Sequence, residues 1–254
     1  VVAKAALDRL LAPDALDPDS TVEIRTLLKQ TRWMVLPLRE FPTAPAQGAL
    51  AIEVARANHA LRDRLTAVQD ADTWIEVVRE RALLAERGGG CHDAFGATAR
   101  IRSYGTVLST RGSEGDRDVQ TWKLDRDRPA VPRAPADRLW PPPHQPWSAS
   151  RLTLRPPQPQ ADGYWVSRAD AWPADWVAGP ETLVWVAGAR TWRRLAGRGV
   201  WVNGSAEGLG DEERAEVDLL AGRPVRWLRL THTDAAPSAE TPRTKTARPM
   251  LAAS

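Results

Sequence analysis

Cysteine is almost absent: Cys91 is the only one in 254 residues. That excludes an internal disulfide framework and a cysteine-rich zinc site, and it points to a cytoplasmic protein. The four histidines, His59, His92, His144 and His232, are scattered without metal-ligand spacing, so no metal site is expected. No run of about 18 apolar residues occurs, so no membrane helix is expected. Neither an initiating methionine nor a signal-peptide pattern opens the chain. It begins "VVAKAALDRLL", which reads as the middle of an amphipathic element and predicts a fragment of a longer protein. Lysine is scarce as well: Lys4, Lys29, Lys123 and Lys245 are the only ones, and arginine makes up the rest of the basic side. With a net charge of only +3, composition gives no support to a nucleic-acid partner.

What is present is 43% hydrophobic residues, 17 glycines and 21 prolines, the prolines clustered. That pattern suits small domains joined by linkers. Helices are expected in the opening segment and in "STVEIRTLLKQ", the second capped by Ser20 or Thr21. "WMVLPLREF" reads as extended, and the apolar run over residues 49–55 reads as a buried strand, with a helix left open by periodicity alone. Two helices follow before "GGG", the second starting at Asp72 or Thr73, and the glycines stop it. "FGATARIRS", "GTVLSTRGS" and "DVQTWKLDRD" read as a small antiparallel sheet with the two helices on one face. Residues 129–160 read as a proline-rich linker in which Trp140 and Trp147 are docking candidates. Residues 161–234 alternate strand and helix, with "ARTWRRLAGRG" as a helix between two strands, and residues 235–254 read as a disordered tail. The expected fold class is α/β, with an α+β unit before the linker and a small α/β lobe after it.

Cys91 sits in "AERGGGCHDAFGA", just past a helix end. It can be an incidental small hydrophobe, a thiol nucleophile or a covalent attachment point. The C-terminal end of a helix dipole disfavours a thiolate, although Arg87 and Arg100 are nearby in sequence. The glycine run is not a phosphate loop, because it lacks the following lysine and Ser/Thr and it ends a helix rather than opening one.

Two motifs read together go further. "FPTAPAQGALAIEVA" followed by "VRERALLAERGGGCHDAFGATA" resembles hydroxymethylbilane synthase, also called porphobilinogen deaminase. Pro45, Gln47, Gly48, Ala49, Leu50, Ile52 and Glu53 carry the first motif; Glu80, Arg81, Gly89, Gly90, Cys91 and Gly96 carry the second. "VVAKAALDRL" is similar to the segment that ends the family's second domain, with Arg9 at its arginine position. The resemblance divides the chain into the end of domain two with hinge strands (1–56) and a cofactor-carrying C-terminal domain (57–128). It implies a monomeric transferase of haem biosynthesis that joins four porphobilinogens into 1-hydroxymethylbilane. The reaction is primed by a dipyrromethane cofactor held through a thioether on Cys91.

That bond needs a nucleophilic sulfur once, during maturation, so an unfavourable dipole is a small objection. Gln47, Gly48 and Ala49 are implied to lie near the cofactor, and Arg9 to pair with a pyrrole carboxylate. The family's catalytic groups are expected upstream, none of them falling in this chain, so the fragment alone is expected to be inactive. Porphobilinogen and linear tetrapyrroles are the implied partners, with no nucleic acid and no membrane. After Cys91, His92-Asp93-Ala94-Phe95 replaces the family's usual Gln-Val-Pro-Ile. Residues 161–234 are similar to part of uroporphyrinogen-III synthase, on Gly188, Thr191, Leu195, Gly199 and Val200. This implies a fusion of two consecutive enzymes. The rival expectation is a degenerate, non-catalytic module that binds a protein or a tetrapyrrole.

Overall fold

The computed structural model describes residues 1–90, 94–126, 158–210 and 213–231. The proline-rich segment up to residue 157, the tail from residue 232, and Cys91, His92 and Asp93 lie outside the described residues. The fold class is α/β: helices, a three-stranded antiparallel sheet and a four-stranded parallel sheet. The chain forms two compact units. One holds Val1–Pro37 with the described residues of Leu152–Ser254, and the other holds the described residues of Leu38–Arg151.

In the first unit, α1 (Lys4–Leu11) and α2 (Pro18–Gln30) are the two expected helices. The cap of α2 is Asp17 rather than Ser20 or Thr21: its side chain accepts from Ser20 N at 2.9 Å, and Pro18 takes the first helical position, where no N–H is needed. After residue 157 come β4 (Gly163–Val166), β5 (Leu183–Val186), α5 (Ala189–Ala196), β6 (Gly204–Ser205), α6 (Asp218–Ala221) and β7 (Trp227–Leu230). The strands pair in parallel in the order β6-β5-β4-β7.

Alternation along each strand divides the apolar residues between two faces. Tyr164, Val166, Val184, Val186 and Leu228 form one core with Trp172, Trp176 and Leu195. Tyr164, Trp172 and Trp176 meet as a triangle of rings with centroids 5.1–6.0 Å apart. On the opposite face Leu183, Trp185 and Trp227 meet Val217 and Leu220. That second face is covered by Leu7 and Leu11 of α1, Ile24 and Leu28 of α2, and Trp33 and Val35 of the extended segment after it. Buried Asn203 joins this segment to the sheet. It accepts from Val184 N at 2.9 Å and donates to Trp33 O at 3.0 Å, and its backbone O accepts from Val35 N at 2.7 Å. The opening residues are therefore one wall of the lobe's core.

In the second unit, α3 (His59–Thr66) and α4 (Ala71–Glu86) precede β1 (Phe95–Arg102), β2 (Gly105–Glu114) and β3 (Arg117–Asp125). Asp70 caps α4, accepting from Thr73 N at 2.7 Å, so the helix starts earlier than Asp72 or Thr73. Its end matches the glycine expectation: Gly89 N donates to Leu84 O and Gly88 N to Ala85 O. Both glycines have positive φ, which completes a Schellman stop. The strands form an antiparallel meander, β1-β2-β3, and α4 packs on β1. Residues 49–55 do not form the expected buried strand. Leu50 is 90% exposed and Ile52 64% exposed, and no ladder partner lies among the described residues.

Candidate functional site

β1 is an edge strand, so its outward N–H groups at alternate residues need partners from outside the sheet. They find three. Ala97 N donates to Thr43 O at 2.9 Å, Ala99 N to Glu80 Oε1 at 2.9 Å and Ile101 N to Glu76 Oε1 at 2.8 Å. Glu76 and Glu80 are one helical turn apart on α4, so both carboxylates meet the same strand edge.

The partner from outside α4 belongs to a strap, residues 39–46, that crosses the strands from β3 to β1. Gln120 donates to Arg39 O at 2.7 Å, Arg111 to Glu40 O at 3.2 Å, and Thr43 N to Thr98 Oγ1 at 3.1 Å. Two rings hold arginines along it: the Arg39 guanidinium lies 4.5 Å from the Trp122 ring and that of Arg111 5.5 Å from Phe41. At Gly96 the strap is so close that a Cβ would stand 2.5 Å from Pro42 O. This is a physical need for glycine at that motif position.

Beyond the strap comes the turn that carries Gln47, Gly48 and Ala49. Gln47 N donates to Ala44 O, Ala49 N to Ala46 O, and Gln47 Oε1 accepts from Ala44 N at 3.3 Å. Gly48 has φ +89° and Ala46 φ +64°, the latter unusual for a residue with a Cβ. Glu80 ties this turn to the sheet, because its Oε2 accepts from Ala46 N at 2.7 Å while Oε1 holds β1. Glu80 as a residue is buried, 7% exposed. Burial pushes its pKa above the ordinary value, the two backbone donors pull it back, and the charge of Glu76 adds to the rise.

Three residues after Cys91, Ala94 lines an open groove of about 480 Å³ together with Pro42, Gly96, Arg111, Gly112 and Asp118. Arg111 is its fixed cation: Nη2 meets Asp118 Oδ2 at 2.8 Å and the same guanidinium reaches Glu40 O. A second guanidinium, that of Arg87, lies 4.7 Å from the Phe95 ring at the start of β1. Gln47, Gly48 and Ala49 thus share one turn of the second unit. Arg9 lies exposed on α1 of the first, and Cys91 lies outside the described residues. Sequence reasoning missed Arg111 and the double grip of Glu80. The spacing of Glu76 and Glu80 was visible, but the strand edge that they serve was not.

Comparison with known proteins gives a consistent result over part of the chain. It is 50% identical over 64 residues to porphobilinogen deaminase of Lachnospira eligens, a match covering 25% of this chain and 22% of that protein. It is 42% identical over 101 residues to porphobilinogen deaminase of Mycobacterium ulcerans (40% of this chain, 27% of that one). It is 31% identical over 134 residues to porphobilinogen deaminase of Natranaerobius thermophilus, covering 50% and 38%. The chain therefore spans well under half the length of these curated relatives. No protein-family model matches it and no solved structure matches it. Part of this chain is thus similar to porphobilinogen deaminases, proteins named for a step of porphyrin biosynthesis.

Proposed function

We propose that the second unit is the cofactor-carrying domain of a porphobilinogen deaminase, with Cys91 as the attachment point for dipyrromethane. The observation that carries this reading is the way the two motifs, distant in sequence, meet through one side chain: Glu80 of the second holds Ala46 of the first. The groove beside Ala94 carries mixed charge: Arg111 lies there with Asp116 and Asp118, and its guanidinium is paired with Asp118, so a pyrrole carboxylate would have to share that cation. When bound, the cofactor supplies the primer onto which porphobilinogen units are joined. The chain's own part is to hold and orient. Arg111 and the turn over residues 47–49 would flank the primer, and the Schellman stop would end α4 just ahead of Cys91. Acid–base chemistry would come from residues upstream. This reading places the protein in the cytoplasm as a monomeric transferase.

The intact mass of the full-length protein, expressed in a host that makes porphobilinogen, tests the reading. The expected result is a covalent adduct of two pyrrole units on the Cys91 peptide, absent from Cys91→Ser. A bare polypeptide mass sinks it and favours the degenerate module.

The lobe after the linker supports a second, finer proposal, that it is uroporphyrinogen-III-synthase-like. Its sheet is parallel, α5 opens at Gly188, Leu195 is fully buried and Thr191 Oγ1 donates to Ser167 O at 3.2 Å at the end of β4. Supplying hydroxymethylbilane to this chain tests it. A rise in the III isomer over the spontaneous I isomer supports cyclase activity, and an unchanged ratio removes it.

A further inference from the structure

Ala46 is held in the left-handed region with φ +64°, at a steric cost that only glycine escapes. Such a conformation persists only where its surroundings enforce it. The enforcing group is the Glu80 carboxylate, which accepts from Ala46 N at 2.7 Å and from Ala99 N at 2.9 Å. We infer that Glu80 is a positioning residue: it fixes the turn over residues 46–49 against β1, the strand that follows Cys91. The inference rests on the proposed deaminase reading for its catalytic meaning, but the mechanical part stands on the geometry.

A carboxylate is the side chain this task requires. It has two acceptor oxygens and no donor, and two backbone N–H groups point at it. Glutamine would present its NH₂ to one of those N–H groups and could serve only the other. The β1 end of the bridge is backed by its neighbours, because Thr43 O holds Ala97 N and Glu76 holds Ile101 N. The turn end has no such backing at Ala46 N beyond Glu80 among the bonds described. Loss of the carboxylate should therefore release the turn while leaving the strand in place. Arg79, on the same helix, is engaged with Asp125 at 2.7 Å, which anchors α4 to β3 independently.

Amide hydrogen exchange on the 254-residue chain reads this directly. Glu80→Gln should speed exchange at Ala46 and Ala49 by about tenfold or more, the loss expected for a charge-assisted hydrogen bond, while Ile101 stays within about twofold. Adding Ala46→Gly should slow Ala49 again, since glycine takes positive φ without the Cβ conflict. Unchanged exchange at the turn overturns the inference, and so does equal acceleration at Ile101, which would mark general loosening. In the full-length protein, Glu80→Gln should keep the Cys91 adduct and lower kcat for tetrapyrrole formation, with partial recovery on Ala46→Gly. A wild-type rate in the variant overturns the catalytic part. A wild-type protein without adduct defeats the deaminase reading and leaves the exchange result to decide the mechanical one.

Discussion

At the scale of single residues, two side chains hold more together than their sequence context suggests. Asn203 satisfies both a strand N–H and a carbonyl of the opening segment, and Glu80 bridges a strained turn and a strand edge. The titration of Glu80 has a definite sign. Because burial raises its pKa above 4.5, the folded protein holds the proton more readily than the unfolded chain. Its contribution is fully present below the unfolded value and is lost as pH rises through the folded one. Urea unfolding from that value up to neutrality should show this decline in the second unit, and Glu80→Gln should abolish it. The variant should differ least from wild type at low pH, where protonated Glu80 carries an O–H donor much as the amide carries its NH₂.

At the scale of elements, the parallel sheet depends on close approaches of indole rings to glycines, Trp227 against Gly163 and, more tightly, Trp185 against Gly204. Trp185 of β5 lies against Gly204 of β6, where a Cβ would fall 2.0 Å from the indole ring. Gly204→Ala must displace a large side chain that is 4% exposed and is shared with the second core. A loss of about 1–3 kcal/mol is expected from overpacking, read as a lower denaturation midpoint for tryptophan fluorescence in the first unit. Pairing Gly204→Ala with Trp185→Leu should recover part of it. The three strands of the antiparallel sheet should be unaffected, since none of their side chains belongs to that core.

At the scale of the whole molecule, the lobe and the opening residues fold as one. Without residues 1–37, the face made by Leu183, Trp185, Val217 and Leu220 would meet water. At about 25 cal/mol per Å² of apolar area, losing the cover of several large side chains exceeds the margin of a small domain. A chain starting at Leu38 should bind a hydrophobic dye and lose amide protection in β5, while β1 to β3 keep theirs. Retained protection in β5 would show that the lobe is self-sufficient.

Much of the local structure was legible in the sequence. Period and punctuation placed the helices, the glycine stop before Cys91, the antiparallel meander and the strand–helix–strand of the lobe. These follow from interactions within a few residues, which a sequence shows directly. Caps were misplaced by two to four residues, because Asp17 and Asp70 compete with other good capping residues nearby. The two motifs, with the cysteine in the second, were also visible from sequence. What only the tertiary structure decided was who touches whom across long separations. Residues 1–37 wall the core of a lobe more than a hundred residues away, the strap crosses three strands, and Glu80 reaches back to Ala46. Those choices depend on which apolar face and which strand edge are left open once the sheets have formed, and no local pattern encodes that.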